Sequence, residues 1–182
     1  PAQLAKDNQK FLFSHVKQGM RARDLEDSLE WLISAGLIYK VEKIERPYIP
    51  ITTYSDITNF KIYFSDVGLL RRMSKFPADV VFDTSSLTAD MRGILAENFV
   101  LTELISNDYQ RSFFWKSGGI AEVDYVIQEG IDVIPIEVKS SKRVRSRSLT
   151  EYRKKYSPRI AVRTSLRDMS RHSDEYGEVL EI

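Results

Sequence analysis

The sequence contains no cysteine and only two histidines, His15 and His172. The first absence excludes disulfides and thiolate metal sites and allows an intracellular location. The second leaves no histidine pair at metal-ligand spacing, so both read as surface or structural residues. No apolar run approaches the ~20 residues needed to cross a bilayer, and no charged-then-apolar signal segment opens the chain. The reading is therefore a soluble, cytoplasmic protein with no membrane partner. None of the eight glycines is followed by lysine, so the GxxxxGK[ST] phosphate loop is missing. An excess of either charge is missing too: 27 basic residues face 26 acidic ones, and any electrostatic role must come from local clustering.

What is present suffices for one ordinary core or two small ones, since 42% of the 182 residues are hydrophobic. Residues 4–18 fit neither helical nor strand spacing throughout and are read as a short helix. From Asp24 onward Leu25, Leu29, Leu32 and Ile33 recur at helical spacing, and Gly36 follows as a C′ residue, which predicts an amphipathic helix. Strands are expected at 37–41 and 60–64, separated by a polar stretch with Pro47 and Pro50, and a short helix at 66–73. Helix, strand, extended connection and return strand is the order of a winged-helix unit. The polar, broken stretch 77–86 marks a boundary between segments 1–76 and 77–182. Beyond it the pattern predicts a helix at 90–107, strands at 113–116, 123–127 and 133–139, a helix at 148–155 and a strand at 160–162. That order is αβββαβ within an α+β or α/β fold class. The chain opens at Pro1 without an initiator Met, and a further expected strand at 178–182 runs to its last residue, which suggests a piece of a longer protein.

Strand parity brings charged residues together in the predicted hairpin. Val123, Tyr125 and Ile127 share one face of the first strand; Glu122, Asp124 and Gln128 share the other. On the second strand Ile134, Ile136 and Val138 lie opposite Glu137 and Lys139. A tight turn at Glu129-Gly130 pairs Asp124 with Pro135, whereas a four-residue loop sets Asp124 against Glu137. Either register puts Asp124, Glu137 and Lys139 on one face. Two neighbouring carboxylates raise each other's pKa unless a cation sits between them, and hard oxygen donors suit Mg²⁺ or Mn²⁺. Asp124 and Glu137 are thus candidate metal ligands, with the Lys139 ammonium placed to stabilise phosphorane-like charge or orient a nucleophile. The alternative is an ordinary hairpin with one wet, charged face. Glu97 lies within the apolar run 93–100, where it either pairs with a cation or reaches water or Arg92 from the edge of the buried stripe.

Residues 93–100, Phe114-Trp115, the segments 122–127 and 134–141, and Ser148-Leu149 resemble the PD-(D/E)xK (restriction-endonuclease-like) C-terminal domain of a large bacterial and archaeal family of predicted AAA-type ATPases. Residues 31–38 and 60–70 resemble the winged-helix segment of that family. The resemblance implies that Asp124, Glu137 and Lys139 match the nuclease motif and that Glu97 matches the helical acid of resolvase-like relatives. It implies a fold and a candidate site rather than a defined substrate; DNA is the candidate substrate of a metal-dependent nuclease reading. It also implies an upstream ATPase module of the same full-length chain, through which alone ATP would enter.

Between positions 139 and 159 stand nine basic residues, Lys139, Lys142, Arg143, Arg145, Arg147, Arg153, Lys154, Lys155 and Arg159, against the single acid Glu151. Lys142, Arg143, Arg145, Arg147, Arg153 and Lys154 are the candidate nucleic-acid contacts, the alternative being a solvated loop and helix face. The first strong helix instead exposes Glu26, Asp27 and Glu30, which repel phosphate, so a structural or protein-contact role is expected for it. Trp31 and Tyr39 read as core or interface residues. Because the phosphate loop is missing, the chain incubated with ATP and Mg²⁺ is expected to release no phosphate above a protein-free blank. Release proportional to protein concentration would overturn that expectation.

Overall fold

The computed structural model describes residues 22–76, 88–142 and 146–182. Its helices are α1 (Ala22–Ser34), α2 (Val67–Met73), α3 (Ala89–Ser106) and α4 (Arg147–Tyr156). The strands are β1 (Ile38–Ile44), β2 (Ser55–Phe64), β3 (Phe113–Lys116), β4 (Glu122–Glu129), β5 (Asp132–Val138), β6 (Ile160–Thr164), β7 (Ser170–Asp174) and β8 (Gly177–Glu181). The result is a mixed α+β fold with an eight-stranded sheet in the order β2-β1-β3-β4-β5-β6-β8-β7. Among the described residues no helix is long and apolar enough to cross a membrane. The expected short helix within 4–18, His15 and the boundary stretch 77–86 lie outside the described residues.

The chain divides into two compact units. One comprises Pro1–Val41 and Asn59–Glu103; the other comprises Glu42–Thr58 and Leu104–Ile182. Strands β1 and β2 are long enough to belong partly to each. Sequence pattern alone gave no reason to split a strand.

In the first unit α1 ends as Gly36 predicts. Gly36 has φ +67°, its N–H donates to the Ile33 carbonyl at 2.9 Å, and the Leu37 N–H donates to the Leu32 carbonyl at 3.0 Å. That is a Schellman motif, which satisfies helix-end carbonyls and favours a residue without a Cβ. Ile38, Phe60, Ile62, Phe64, Leu70 and Ile94 form the core, with Leu29 and Ile33 of α1 against it. Trp31 is 77% exposed, so of its two expected roles, core or interface, the core one does not hold; Leu32 is exposed as well. Asp66 caps α2 by accepting from the Leu69 N–H at 2.8 Å. Asn98 of α3, fully buried, accepts from the Phe64 N–H and donates to the Phe64 carbonyl, both at 2.9 Å. Its carboxamide thus satisfies a β2 backbone pair as a neighbouring strand would.

In the second unit β1 pairs in parallel with β3, β3-β4-β5 run antiparallel, and β5-β6-β8 run parallel. The crossover from β5 to β6 is made by α4, the usual solution for joining parallel neighbours. Helix α4 starts at Ser146, whose hydroxyl accepts from the Leu149 N–H at 3.0 Å. Its inner residues fall at helical spacing. Tyr152 packs with Trp115, Val123 and Val126, and Leu149 packs with Ala161 and Val179. The Trp115 and Tyr152 rings meet edge to face at 5.2 Å, an arrangement worth about 1 kcal/mol beyond its buried area. Burial pushes the Tyr152 phenol well above its ordinary range.

Strand β7, Ser-Arg-His-Ser-Asp, was not expected from sequence, because all five residues are exposed and none is apolar. It forms through a hairpin with β8, closed at Asp174 and Gly177. Arg153 fixes that hairpin to α4, donating to both Asp174 carboxylate oxygens and to the Gly177 carbonyl. The guanidinium holds the Asp174 carboxyl below its usual range, and the Tyr176 N–H adds to the effect. Gly177 has φ +106°, and a Cβ there would meet the Pro158 carbonyl oxygen at 2.4 Å. Gly177→Ala therefore combines backbone strain with a backbone clash and is expected to destabilise the chain by roughly 3 kcal/mol or more. Urea denaturation checks this, and a loss below about 1 kcal/mol would contradict it.

Candidate active site

The β4–β5 hairpin sets the positions of the acidic residues. Glu129 pairs with Asp132 across the two residues Gly130 and Ile131, and Gly130 takes φ +57°. The register continues through Gln128–Val133, Ile127–Ile134 and Val126–Pro135 to Tyr125–Ile136. Asp124 and Glu137 follow next on their strands, beyond the last paired residues and within the stretch where the register of β4 against β3 shifts. The β4–β5 register is that of the longer-loop alternative, although the turn itself has two unpaired residues because Glu129 and Asp132 still pair.

The hairpin has no wet face. The register of β4 against β3 shifts between Val123 and Val126, so strict alternation fails there: Val123 and Val126, expected on opposite faces, are buried in one cluster with Trp115 and Tyr152, while Tyr125, Ile127, Pro135 and Glu137 are buried as well. Glu137 is 4% exposed, far from the solvated carboxylate of an ordinary amphipathic hairpin. Its Oε1 accepts from Lys139 Nζ at 2.5 Å. Its Oε2 is buried and has no hydrogen-bond partner among the described residues. Asp124 is half-buried and accepts from the Val138 N–H through Oδ2 at 2.8 Å, which ties its carboxylate to the opposite strand. Lys139 keeps 29% of its side chain exposed while its backbone N–H donates to the Thr164 carbonyl on β6. Asp124, Glu137 and Lys139 are thus held together by backbone and ion-pair contacts. At the near end of β4, the Glu122 N–H donates to Ser148 Oγ of α4 at 3.2 Å, and the Glu122 carboxylate pairs with Lys116.

A divalent cation fits this donor set. A buried carboxylate oxygen without a partner is costly, and a cation is what would resolve the cost. The described residues hold no cluster of three metal-ligating side chains. Two carboxylates match the coordination of Mg²⁺, which commonly takes one or two and leaves its remaining positions to water and phosphate oxygens.

Glu97 belongs to the other compact unit, where it is half-buried and accepts from the Tyr63 hydroxyl at 3.3 Å. The basic segment is only partly a surface. Lys142, Arg147 and Lys154 are exposed, and Arg147 and Lys154, seven residues apart, share the outer side of α4. Arg143 and Arg145 lie outside the described residues. Arg153 departs from expectation: it is 4% exposed and committed to Asp174, because it falls one residue after Tyr152 on the buried stripe of α4. Arg159 is taken up by Asp132 in a two-pronged pair, and Lys155 lies over the Trp115 and Tyr156 rings. His172 is exposed on β7.

Arg163 and Glu181 were missed from sequence. Arg163 is directly in register with Glu137 on β5 and with Glu181 on β8, and its Nη1 donates to Glu181 Oε2 at 3.1 Å. Ser165 Oγ donates to the other Glu181 oxygen at 2.9 Å. The usable signal was parity, which puts Ala161 with Arg163 and Val179 with Glu181 on one sheet face.

Because Lys139 is the hydrogen-bond partner of the buried Glu137 carboxylate, Lys139→Met is expected to destabilise the chain by roughly 1–3 kcal/mol. Glu137→Gln in the same background should recover at least half of that, since no buried charge remains. Chemical denaturation of the two single variants and the double variant measures the coupling, and purely additive effects would refute the pairing.

Residues 92–182 match the family model described as Domain of unknown function (DUF4143), a domain found in the C-terminal part of AAA-ATPase-containing proteins. Residues 1–80 match a second model, Domain of unknown function (DUF8612). No curated protein and no solved structure matches the chain. With half of its length under the first model, the chain belongs to the DUF4143 family.

Proposed function

We propose that the chain is a winged-helix-like segment followed by a PD-(D/E)xK nuclease-like domain, acting in metal-dependent phosphodiester cleavage of DNA beside an AAA-type ATPase module. The observation that carries the proposal is the buried Oε2 of Glu137, which has no hydrogen-bond partner among the described residues, with Lys139 along the strand and the Asp124 carboxylate tied to the Val138 N–H. The elements from α3 to β6 keep the helix-strand-strand-strand-helix-strand order, and α1, β1, β2 and α2 keep the order of a winged helix. Both agree with the resemblance.

In this reading Asp124 and Glu137 hold Mg²⁺ or Mn²⁺, which when bound supplies Lewis acidity to a phosphodiester and to water. Asp124 is oriented for that task by the Val138 N–H. Lys139, two residues beyond Glu137, stands by the negative charge that grows on the phosphate. Lys142, Arg147 and Lys154, with Arg143 and Arg145, would grip the backbone on either side and make binding fall with salt. Arg153 has no part in that grip. Glu97 enters only as the helical acid of the family pattern.

A second reading has its own support. Lys139 already neutralises Glu137, and α1 exposes Glu26, Asp27 and Glu30, which suit a protein contact better than DNA. The fold would then serve as a non-catalytic regulatory module for the attached ATPase. Assays with plasmid, single-stranded and branched DNA in Mg²⁺ or Mn²⁺ separate the two. Cleavage is expected, and Asp124→Asn and Glu137→Gln, which keep shape and hydrogen bonding, are expected to lower it by about 100-fold or more. Cleavage by none of these combinations, or undiminished cleavage by the variants, would sink the nuclease reading and leave the regulatory one.

A further inference from the structure

Arg163 and Glu181 extend the charged row of the site across two more strands. Register places Glu137, Arg163 and Glu181 side by side on β5, β6 and β8, and parity puts all three on the same sheet face. Glu181 is 3% exposed and the Arg163 side chain 12%, so neither is paired for reasons of solubility. Both Glu181 oxygens are occupied, one by Arg163 and one by Ser165. Arg163 Nε, like Glu137 Oε2, is buried and has no hydrogen-bond partner among the described residues.

A guanidinium beside a free carboxylate oxygen would ordinarily close on it, because a charge-assisted pair is among the strongest polar contacts available in a buried setting. Here the guanidinium is bonded to Glu181, on the strand away from Glu137. Lys139 occupies only one Glu137 oxygen. The five ionised groups Asp124, Glu137, Lys139, Arg163 and Glu181 leave one net negative charge in the row, which suits a divalent cation better than a closed set of salt bridges would.

We infer that Glu181 is a positioning residue that holds Arg163 away from Glu137 and so keeps Glu137 Oε2 open to a divalent cation. The inference rests on the metal reading proposed above. Removing the Glu181 charge releases Arg163 toward the nearest carboxylate in register, which is Glu137. Both Glu137 oxygens would then carry cationic donors, and the row would become neutral.

The test is Mn²⁺ binding to the full chain, followed by calorimetry or electron paramagnetic resonance, without nucleic acid or turnover. Glu181→Gln is expected to weaken binding by about tenfold or more, the scale on which outer groups tune metal affinity. Arg163→Met/Glu181→Gln removes the competitor along with its keeper and is expected to bind within about threefold of the wild type. Ser165→Ala, which removes only the second hold on Glu181, is the milder arm and should weaken binding less, in the same direction. Wild-type affinity in Glu181→Gln, or a double variant as weak as Glu181→Gln, would overturn the inference.

A second measurement does not need the metal. The carboxyl ¹³C resonance of Glu137, assigned by its loss in Glu137→Gln, is expected to shift in metal-free Glu181→Gln and to return in the double variant. An unmoved resonance would overturn the keeper role even if Mn²⁺ binds. If the wild type binds no Mn²⁺, the metal reading fails, and this resonance alone decides whether Glu181 restrains Arg163.

Discussion

The β4–β5 hairpin is buried on both faces, and most of the second unit's polar architecture answers to that constraint. A central strand cannot leave a charged or amide side chain to the solvent, so each must find a partner inside the protein. Asp124 reaches the Val138 N–H, Glu137 takes Lys139, and Gln128 accepts from the Ile51 N–H at 3.0 Å while donating to Gly130. One strand farther, Arg163 and Glu181 solve the same problem for each other. Among the described residues Glu137 Oε2 is one of five buried side-chain atoms left without a hydrogen-bond partner.

The same constraint explains what could be read from the sequence. Element order was legible because α1 and α4 carry helical periodicity and β3, β4 and β5 carry runs such as Phe-Phe-Trp and Val-Ile-Pro-Ile. Parity on β5 does not depend on the turn, but on β4 alternation breaks between Val123 and Val126, beside Asp124, and no residue pattern signals that irregularity. Depth was not legible either. Alternation looks the same in a hairpin with one wet face and in a central hairpin whose second face is covered by a later helix. Arg153 illustrates the converse, since a basic run invites a surface reading although its spacing from Leu149 already puts it inside. Strand β7 carried no signal at all: its five polar residues are held by pairing with β8 and by Arg153, both remote in the chain.

Membership in a domain family found at the C-terminal end of AAA-ATPase-containing proteins gives the two compact units a context. The first is closed by two local devices, the Schellman turn at Gly36 and the Asp66 cap, and by the Asn98 clasp on Phe64 from 34 residues away. The second is held by long-range strand pairing and by side chains that meet only after α4 has crossed from β5 to β6. Asp124, Glu137 and Lys139 all belong to the second unit. The first unit forms its core without them.

The polar strand β7 ends the sheet on one side, and its composition has a consequence for handling the protein. An unpaired outer strand offers a row of free backbone groups to any other chain, and apolar, flat edges recruit copies into aggregates. Here that row is dressed with Arg171, His172 and Asp174, with not one aliphatic side chain to reward stacking. Residues that add nothing to the core thus protect the long parallel array behind them from templating its own precipitation.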